Sequence, residues 1–352
     1  MKLKISFFFR SLQIVLEIFF VSVLPVICFS AQDCTEASLL QKPGTWKEGM
    51  KGSTTGIPAD VLLKEKKVIA AIHNLMKQSY SPQGLDAVYS EAYERLDPEM
   101  LLGQYDYGLY LMPYSCVGNI AKPDEETNTS VFIKANNPEI PFSHEVIADD
   151  IDEQDKCHYG WLKKLPVQQE GAWFLGEQEQ TSGMGVKVKN YQWLITYDQT
   201  LPFQYVTRKE YLGKSIDLLQ KVKQRELKKI ETNYAADTKS RDRIYAGMKK
   251  YFEDKLAGVE KAAQSQSSAD LQQIAIVPAQ GDFAGFLTEG ERFAVILVKE
   301  NPDYYNPKLS KGIPQLFSIV FDVDDQRPVL AQAYADVMKA LDFAALKNML
   351  GK

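Results

Sequence analysis

An α+β fold is what this sequence predicts, with a mixed N-terminal region, a long charged helical pair, and a small C-terminal sheet with a closing helix. Three observations carry that expectation. Pro58–Ser79 repeats Val61, Leu62, Val68, Ile69, Ile72, Leu75 and Met76 at helical spacing, with Lys64–Lys67 on the polar side. Tyr105, Tyr107, Leu109 and Leu111 alternate, which is the period of a strand. From Arg208 no proline interrupts the chain until Pro278, and the segment to about Ala263 is strongly charged with apolar residues three or four apart.

The first thirty residues read as an export signal. Lys2, Lys4 and Arg10 precede an apolar run that is densest from Ile18 to Phe29, and small residues Ser30 and Ala31 follow. Residues 1–31 are therefore expected to be a signal peptide, with the mature chain starting at Ala31 or Gln32. A retained N-terminal anchor is the competing reading, but Glu17 and Pro25 interrupt the stretch that would have to span a bilayer. The expected location is secreted or periplasmic. No transmembrane segment is expected once the signal is removed.

The signal takes away three basic residues and one acidic residue, so the net charge of −5 becomes −7. That sign disfavours binding to nucleic acid, which requires phosphate neutralisation. Hydrophobic residues make up 45%, enough for a packed core rather than a disordered chain. Cys34, Cys116 and Cys157 remain after cleavage. Cys34 lies near the start of the mature chain, so Cys116 and Cys157 are the expected disulfide pair, with three free thiols as the alternative.

The remaining elements follow in order. Thr35–Gly56 reads as an irregular lead-in anchored by Trp46, and Leu85–Glu94 as a second short helix. Val131–Lys134 is a short strand. Gly171–Gly176 and Gly185–Tyr197 form a β-hairpin whose change of phase between Val188 and Tyr191 suggests a bulge near Asn190. Thr207 and Glu210 make a capping box with Val206 and Tyr211 as its hydrophobic staple, so a helix starts at Arg208. The apolar positions fade between Asn233 and Arg243, which favours two antiparallel, coiled-coil helices meeting near Ala236–Ser240 over one long helix. Ile274–Val277, Phe293–Lys299 and Gln315–Val323 are strands, with a structured loop at Asn301–Gly312. Pro328–Leu350 closes the chain as one amphipathic helix. The expected division is a region at 35–206 and a second at 207–352, with the alternative that the helical pair is an insertion and strands of both halves join one sheet.

Trp193-x-Ile195-Thr196-Tyr197-Asp198, followed by Leu201-Pro202-Phe203-x-Tyr205-Val206-Thr207-Arg208-Lys209-Glu210-Tyr211-Leu212, resembles segments of uncharacterised secreted proteins of Gram-negative bacteria. Asn301-Pro302-Asp303-Tyr304-Tyr305 and Ile313-Pro314-Gln315 resemble the same group. The resemblance spans two short stretches. It implies a shared fold and an exported location, and it carries over no catalytic residues.

No catalytic, cofactor-binding or metal residue is assigned. His144-Glu145 begins like a zinc-protease helix, but Ala148 stands where the second histidine is needed. His73, on the helix Pro58–Ser79 between Ile72 and Leu75, reads as a packed or surface histidine rather than a ligand. Cys116, Cys157, His144 and His158 lack the paired spacing of a structural zinc site. The acidic run Asp149–Asp155 lacks the glycine and distal glutamate of a calcium loop, and Asp322, Asp324 and Asp325 read as turn residues. Tyr105, Tyr107, Tyr110, Tyr114, Tyr304 and Tyr305 fit a β-rich core better than an exposed stacking surface. Two functions stay open. One is an exported non-enzymatic binding or scaffold protein of the cell envelope, whose partner is an unknown protein or small ligand. The other is an exported hydrolase whose site is assembled only in the fold.

Overall fold

The computed structural model describes residues 34–97, 100, 102–146, 158–281 and 283–352. The expected signal peptide, its cleavage point, the acidic run Asp149–Asp155 and Cys157 lie outside these residues. The chain is α+β. In order, the elements begin with α1 (Glu36–Leu40), β1 (Trp46–Lys51), α2 (Ala59–Ser79), β2 (Leu85–Tyr93), β3 (Tyr105–Val117), β4 (Ile120–Pro123) and β5 (Ser130–Ala135). There follow β6 (His144–Glu145), β7 (His158–Leu162), β8 (Val167–Gln169), β9 (Ala172–Thr181), β10 (Lys187–Ile195) and β11 (Phe203–Tyr205). Helices α3 (Arg208–Asn233), α4 (Thr238–Gln264) and α5 (Ser268–Leu271) lead to β12 (Ile276–Pro278), β13 (Ala294–Glu300) and β14 (Phe317–Val323). The chain closes with α6 (Pro328–Ala340) and α7 (Phe343–Lys347).

Nine strands among the described residues form a large sheet in the order β1-β2-β3-β5-β14-β10-β9-β8, with β4 paired to β3. A smaller sheet runs β11-β13-β7-β6, with β12 on β13. The late strand β14 therefore sits between β5 and β10 in the large sheet rather than in a separate C-terminal sheet, and the expected boundary at 206/207 does not separate two sheets. The long apolar run of β14 fits this interior position: Phe317, Ile319 and Phe321 are fully buried.

The molecule is layered. Ile69, Ile72 and Met76 of α2, with Leu330 and Val337 of α6 and Leu346 of α7, cover one face of the large sheet. At one end of the opposite face, Leu175 and Leu194 pack with Phe203, Ile296 and Val298 of the small sheet. The far side of the small sheet packs on the helical pair through Val206, Val295 and Leu297 against Tyr211, Leu219, Phe252 and Val259. Helices α3 and α4, of 26 and 27 residues, meet as the fading pattern predicted, at Tyr234–Asp237. Each is about 40 Å long at 1.5 Å per residue. Their connecting end, residues 231–239, is exposed.

Several expectations are corrected. Leu85–Glu94 is not a helix but strand β2, paired along its whole length with β3. Its apolar residues at 85, 88, 89, 92 and 93 satisfy a helical period as well as a strand period, and sheet pairing decides between them. The lead-in Thr35–Gly56 is ordered: α1 and β1 lie in it, and β1 runs parallel to β2 at the sheet edge. Asp86 holds it there. Its buried carboxylate takes hydrogen bonds from Thr45 N–H and Oγ1 at 2.9 Å and from Tyr114 Oη, and pairs with Lys47 Nζ at 2.6 Å. Burial pushes this carboxyl up, but those donors together pull it below its usual value.

The bulge is on β9, not at Asn190. Gln192 faces Gly176 while Trp193 faces Phe174, which leaves Leu175 extra, and Gly176 supplies the φ of +129° that the kink needs. The closing helix is two helices. It stops at Leu341, and Asp342 caps α7 by accepting the Ala345 N–H at 2.8 Å. The disulfide joins Cys34 to Cys116, not Cys116 to Cys157. Cys34 is fixed because α1 docks its segment beside the end of β3.

The capping box is half formed. Thr207 Oγ1 accepts the Glu210 N–H at 3.1 Å. The Glu210 carboxylate turns away to Lys299 Nζ of β13, at 2.9 Å from each oxygen. An ion pair to the small sheet has replaced the return bond of the box. Thr207→Ala is expected to cost about 1 kcal/mol, the usual effect of losing an N-cap. Urea melts of the two proteins check this, and identical midpoints would contradict the capping role.

Candidate ligand groove

Polar side chains on the uncovered face of the large sheet mark the candidate site. Residues opposite one another in the ladders share a face, so Ala92, Asp106, Lys134, Ser318 and Leu194 form one row across five strands. The parallel row is Ser90, Gly108, Phe132, Val320 and Gln192. Gly108 is required there. A Cβ would stand 2.6 Å from Ser90 Oγ and 2.9 Å from the Phe132 ring, which lies over the glycine. The first row starts in the open and ends at Leu194, where the small sheet packs.

Where the small sheet begins, the open face becomes a groove with two adjoining chambers. The first, about 300 Å³, lies at the ends of β2, β3 and β5 and is lined by Ala92, Glu94, Asp106, Lys134 and Asn137. The second, about 470 Å³, is lined by Ile140, Phe142, Phe203, Glu300 and Tyr305. Gln104 and Asn137 belong to both. These volumes fall in the range that small-molecule sites occupy.

The wall between the chambers is fixed by hydrogen bonds. Asn136, at φ +62°, donates from Nδ2 to the carbonyls of Gly103 and Ile313, and its Oδ1 accepts the Gln315 N–H at 2.7 Å. Glu139, at φ +54°, donates its N–H to Asn137 Oδ1, and Gln192 Nε2 holds the Pro138 and Glu139 carbonyls at 3.1 Å. Two non-glycine residues in the left-handed region within four positions store strain that this network holds in place. On the other side, Asn301 Nδ2 bonds the Leu201 carbonyl, and Tyr304 Oη donates to the Gln315 carbonyl at 2.7 Å. The Asn301–Tyr305 loop is thus the second wall. Tyr304 is buried in it and Tyr305 reaches the groove.

The charges are uneven. Lys134 Nζ pairs with Glu139 at 2.8 Å. Asp106 makes no hydrogen bond or ion pair among the described residues. Its burial raises its carboxyl above the usual range, with Lys134 acting against that and Glu139 adding to it.

The residues weighed in the sequence lie elsewhere. His73 packs on Tyr89 with ring centroids 4.0 Å apart and meets Tyr107 Oη at 3.3 Å, and burial lowers its pKa. His144 is buried opposite Tyr159, while His158 faces Glu145, so the two imidazoles leave the β6–β7 ladder on opposite faces. Neither lines the groove. Asp322 accepts bonds from Gln180 and Asn190, and Asp325 pairs with Lys189. Tyr105, Tyr107 and Tyr114 are core. Among the described residues no cluster of three or more histidine, cysteine or acidic side chains could hold a metal, and no helix is long and apolar enough to cross a membrane. No family model, curated protein or solved structure matches this chain.

Asp106, Lys134, Glu139 and Gln104 escaped the sequence reading for a simple reason. Single polar residues in alternating strands mark any solvated face. Only the placement of the small sheet turns that face into a groove.

Proposed function

We propose that the chain is an exported, non-enzymatic binding protein of the cell envelope that takes a small ligand in the groove between its two sheets. The observation that carries this reading is the groove's make-up: an apolar chamber joined, past the Gln104 and Asn137 side chains, to one holding a carboxylate, Asp106, with no hydrogen bond or ion pair among the described residues. Binding pockets combine those ingredients, apolar walls for affinity and a few placed polar groups for orientation. Export is supported by the basic, apolar and small-residue order of the first thirty residues and by the Cys34–Cys116 bridge, which an oxidising compartment maintains. The hydrolase alternative needed histidines gathered with carboxylates, and His144 and His158 diverge.

Gln104 stands at the junction of the chambers, so Gln104→Trp should fill it. Saturation-transfer NMR with a panel of small aromatic compounds is expected to show binding to the native protein and loss of that binding in the variant. Binding that survives the substitution would place the site elsewhere. Turnover of ester, peptide or glycoside substrates that is lost in His144→Ala would favour the hydrolase.

A further inference from the structure

We propose that the groove selects a ligand carrying an ammonium group on an apolar body, with the ammonium seated on Asp106. The inference rests on the binding reading above and adds the chemistry of the ligand. Asp106 is a half-buried carboxylate without a hydrogen bond or ion pair among the described residues, and it faces the first chamber. The lysine across the ladder from it, Lys134, is already engaged by Glu139 at 2.8 Å. Lys311, behind the second chamber, has its ammonium on the Met100 carbonyl at 2.6 Å. Among the described residues, four carboxylates stand around the groove, Glu94, Asp106, Glu139 and Glu300, against the ammonium groups of Lys134 and Lys311.

A carboxylate partly removed from water and left unpaired is unfavourable, and an incoming cation relieves that. An ammonium brings three donors. Asp106 takes one in a charge-assisted bond, and the Gln104 amide oxygen, free of any hydrogen bond among the described residues, is placed to take another. The rest of the ligand then lies toward Phe142, Phe203 and Tyr305. An anion would meet an excess of negative charge, and a neutral compound would leave Asp106 without a charged partner.

Three probes of similar shape separate the possibilities: 2-phenylethylammonium, 2-phenylethanol and 3-phenylpropionate, titrated calorimetrically into the mature protein at pH 7.5. The ammonium is expected to bind about tenfold or more tightly than the other two, as one charge-assisted bond allows. Asp106→Asn should abolish that preference while leaving the melting temperature of the protein close to native. The native three-probe comparison stands alone if the variant does not fold. Equal or tighter binding of 3-phenylpropionate would overturn the inference, as would an ammonium preference that persists in Asp106→Asn. If the alcohol and the anion bind and Gln104→Trp abolishes their binding, the groove reading stands and the ammonium assignment fails. If no probe binds, or if binding ignores Gln104→Trp, both fail.

Discussion

Opening the Cys34–Cys116 bridge is expected to lower stability by about 4 kcal/mol, because the bridge closes a loop whose ends are 82 residues apart in sequence and so removes chain entropy from the unfolded state. Within that loop lie α1, β1, α2 and β2. The loss should therefore be read by global unfolding and not only by fraying of the N-terminus. Urea melts of the native protein and of Cys34→Ser, each under non-reducing conditions, measure it. Mass mapping of the unreduced protein should recover Cys34 and Cys116 in one linked peptide pair. A Cys116–Cys157 link, or a variant as stable as the native protein, would contradict the assignment.

The second large effect belongs to Glu65. The sequence places it on the polar side of α2, among Lys64, Lys66 and Lys67. In the fold it is fully buried, and neither carboxylate oxygen has a hydrogen-bond partner among the described residues. Gly103 and Gly312 close over it, and a Cβ on Gly103 would stand 2.5 Å from Oε1. Among the described residues, Tyr93 and Tyr105 feel its charge, and burial pushes its own carboxyl from 4.5 up to about 7.

The sign follows from linkage. Well below pH 4.5 the carboxyl is neutral in both states and costs nothing through ionisation. As the pH rises to 7 the unfolded chain releases the proton first, so stability falls, and above 7 the loss is complete. A shift of this size corresponds to at most about 3 kcal/mol. Glu65→Gln should match the native protein at pH 4 and exceed it at pH 8 by up to that amount. Urea melts across this range test it through the difference between the two proteins. Parallel curves would show that Glu65 finds a proton or a partner in another way.

Local chemistry made much of the fold legible. The apolar spacing of α2, the Thr207 cap and the faded pattern at the turn between α3 and α4 each name a structure by mechanism. Elements whose identity depends on distant partners were not legible. β2 carries a pattern that suits helix or strand until β3 pairs with it. β14 reads correctly as a strand, but nothing local says that it enters a sheet whose first strand, β1, starts at Trp46. The site suffers most from this. Asp106 and Lys134 become neighbours only through the β3–β5 register, Glu139 reaches Lys134 only because its backbone turns left-handed, and Phe203 and Tyr305 arrive from the other sheet. Asn301, Tyr304 and Gln315 stood out in the sequence, and their hydrogen bonds build the wall of that groove rather than its chemistry.

We propose the groove between the two sheets as the ligand site. The most direct measurement is a TROSY spectrum of the isotope-labelled mature protein titrated with 2-phenylethylammonium. The expected result is a set of shifted amides confined to Glu94, Gln104, Asp106, Lys134, Asn137, Phe203 and Tyr305. Shifts centred instead on the base of the helical pair, at Ser215, Leu219 and Gly258, or scattered without a centre, would contradict it.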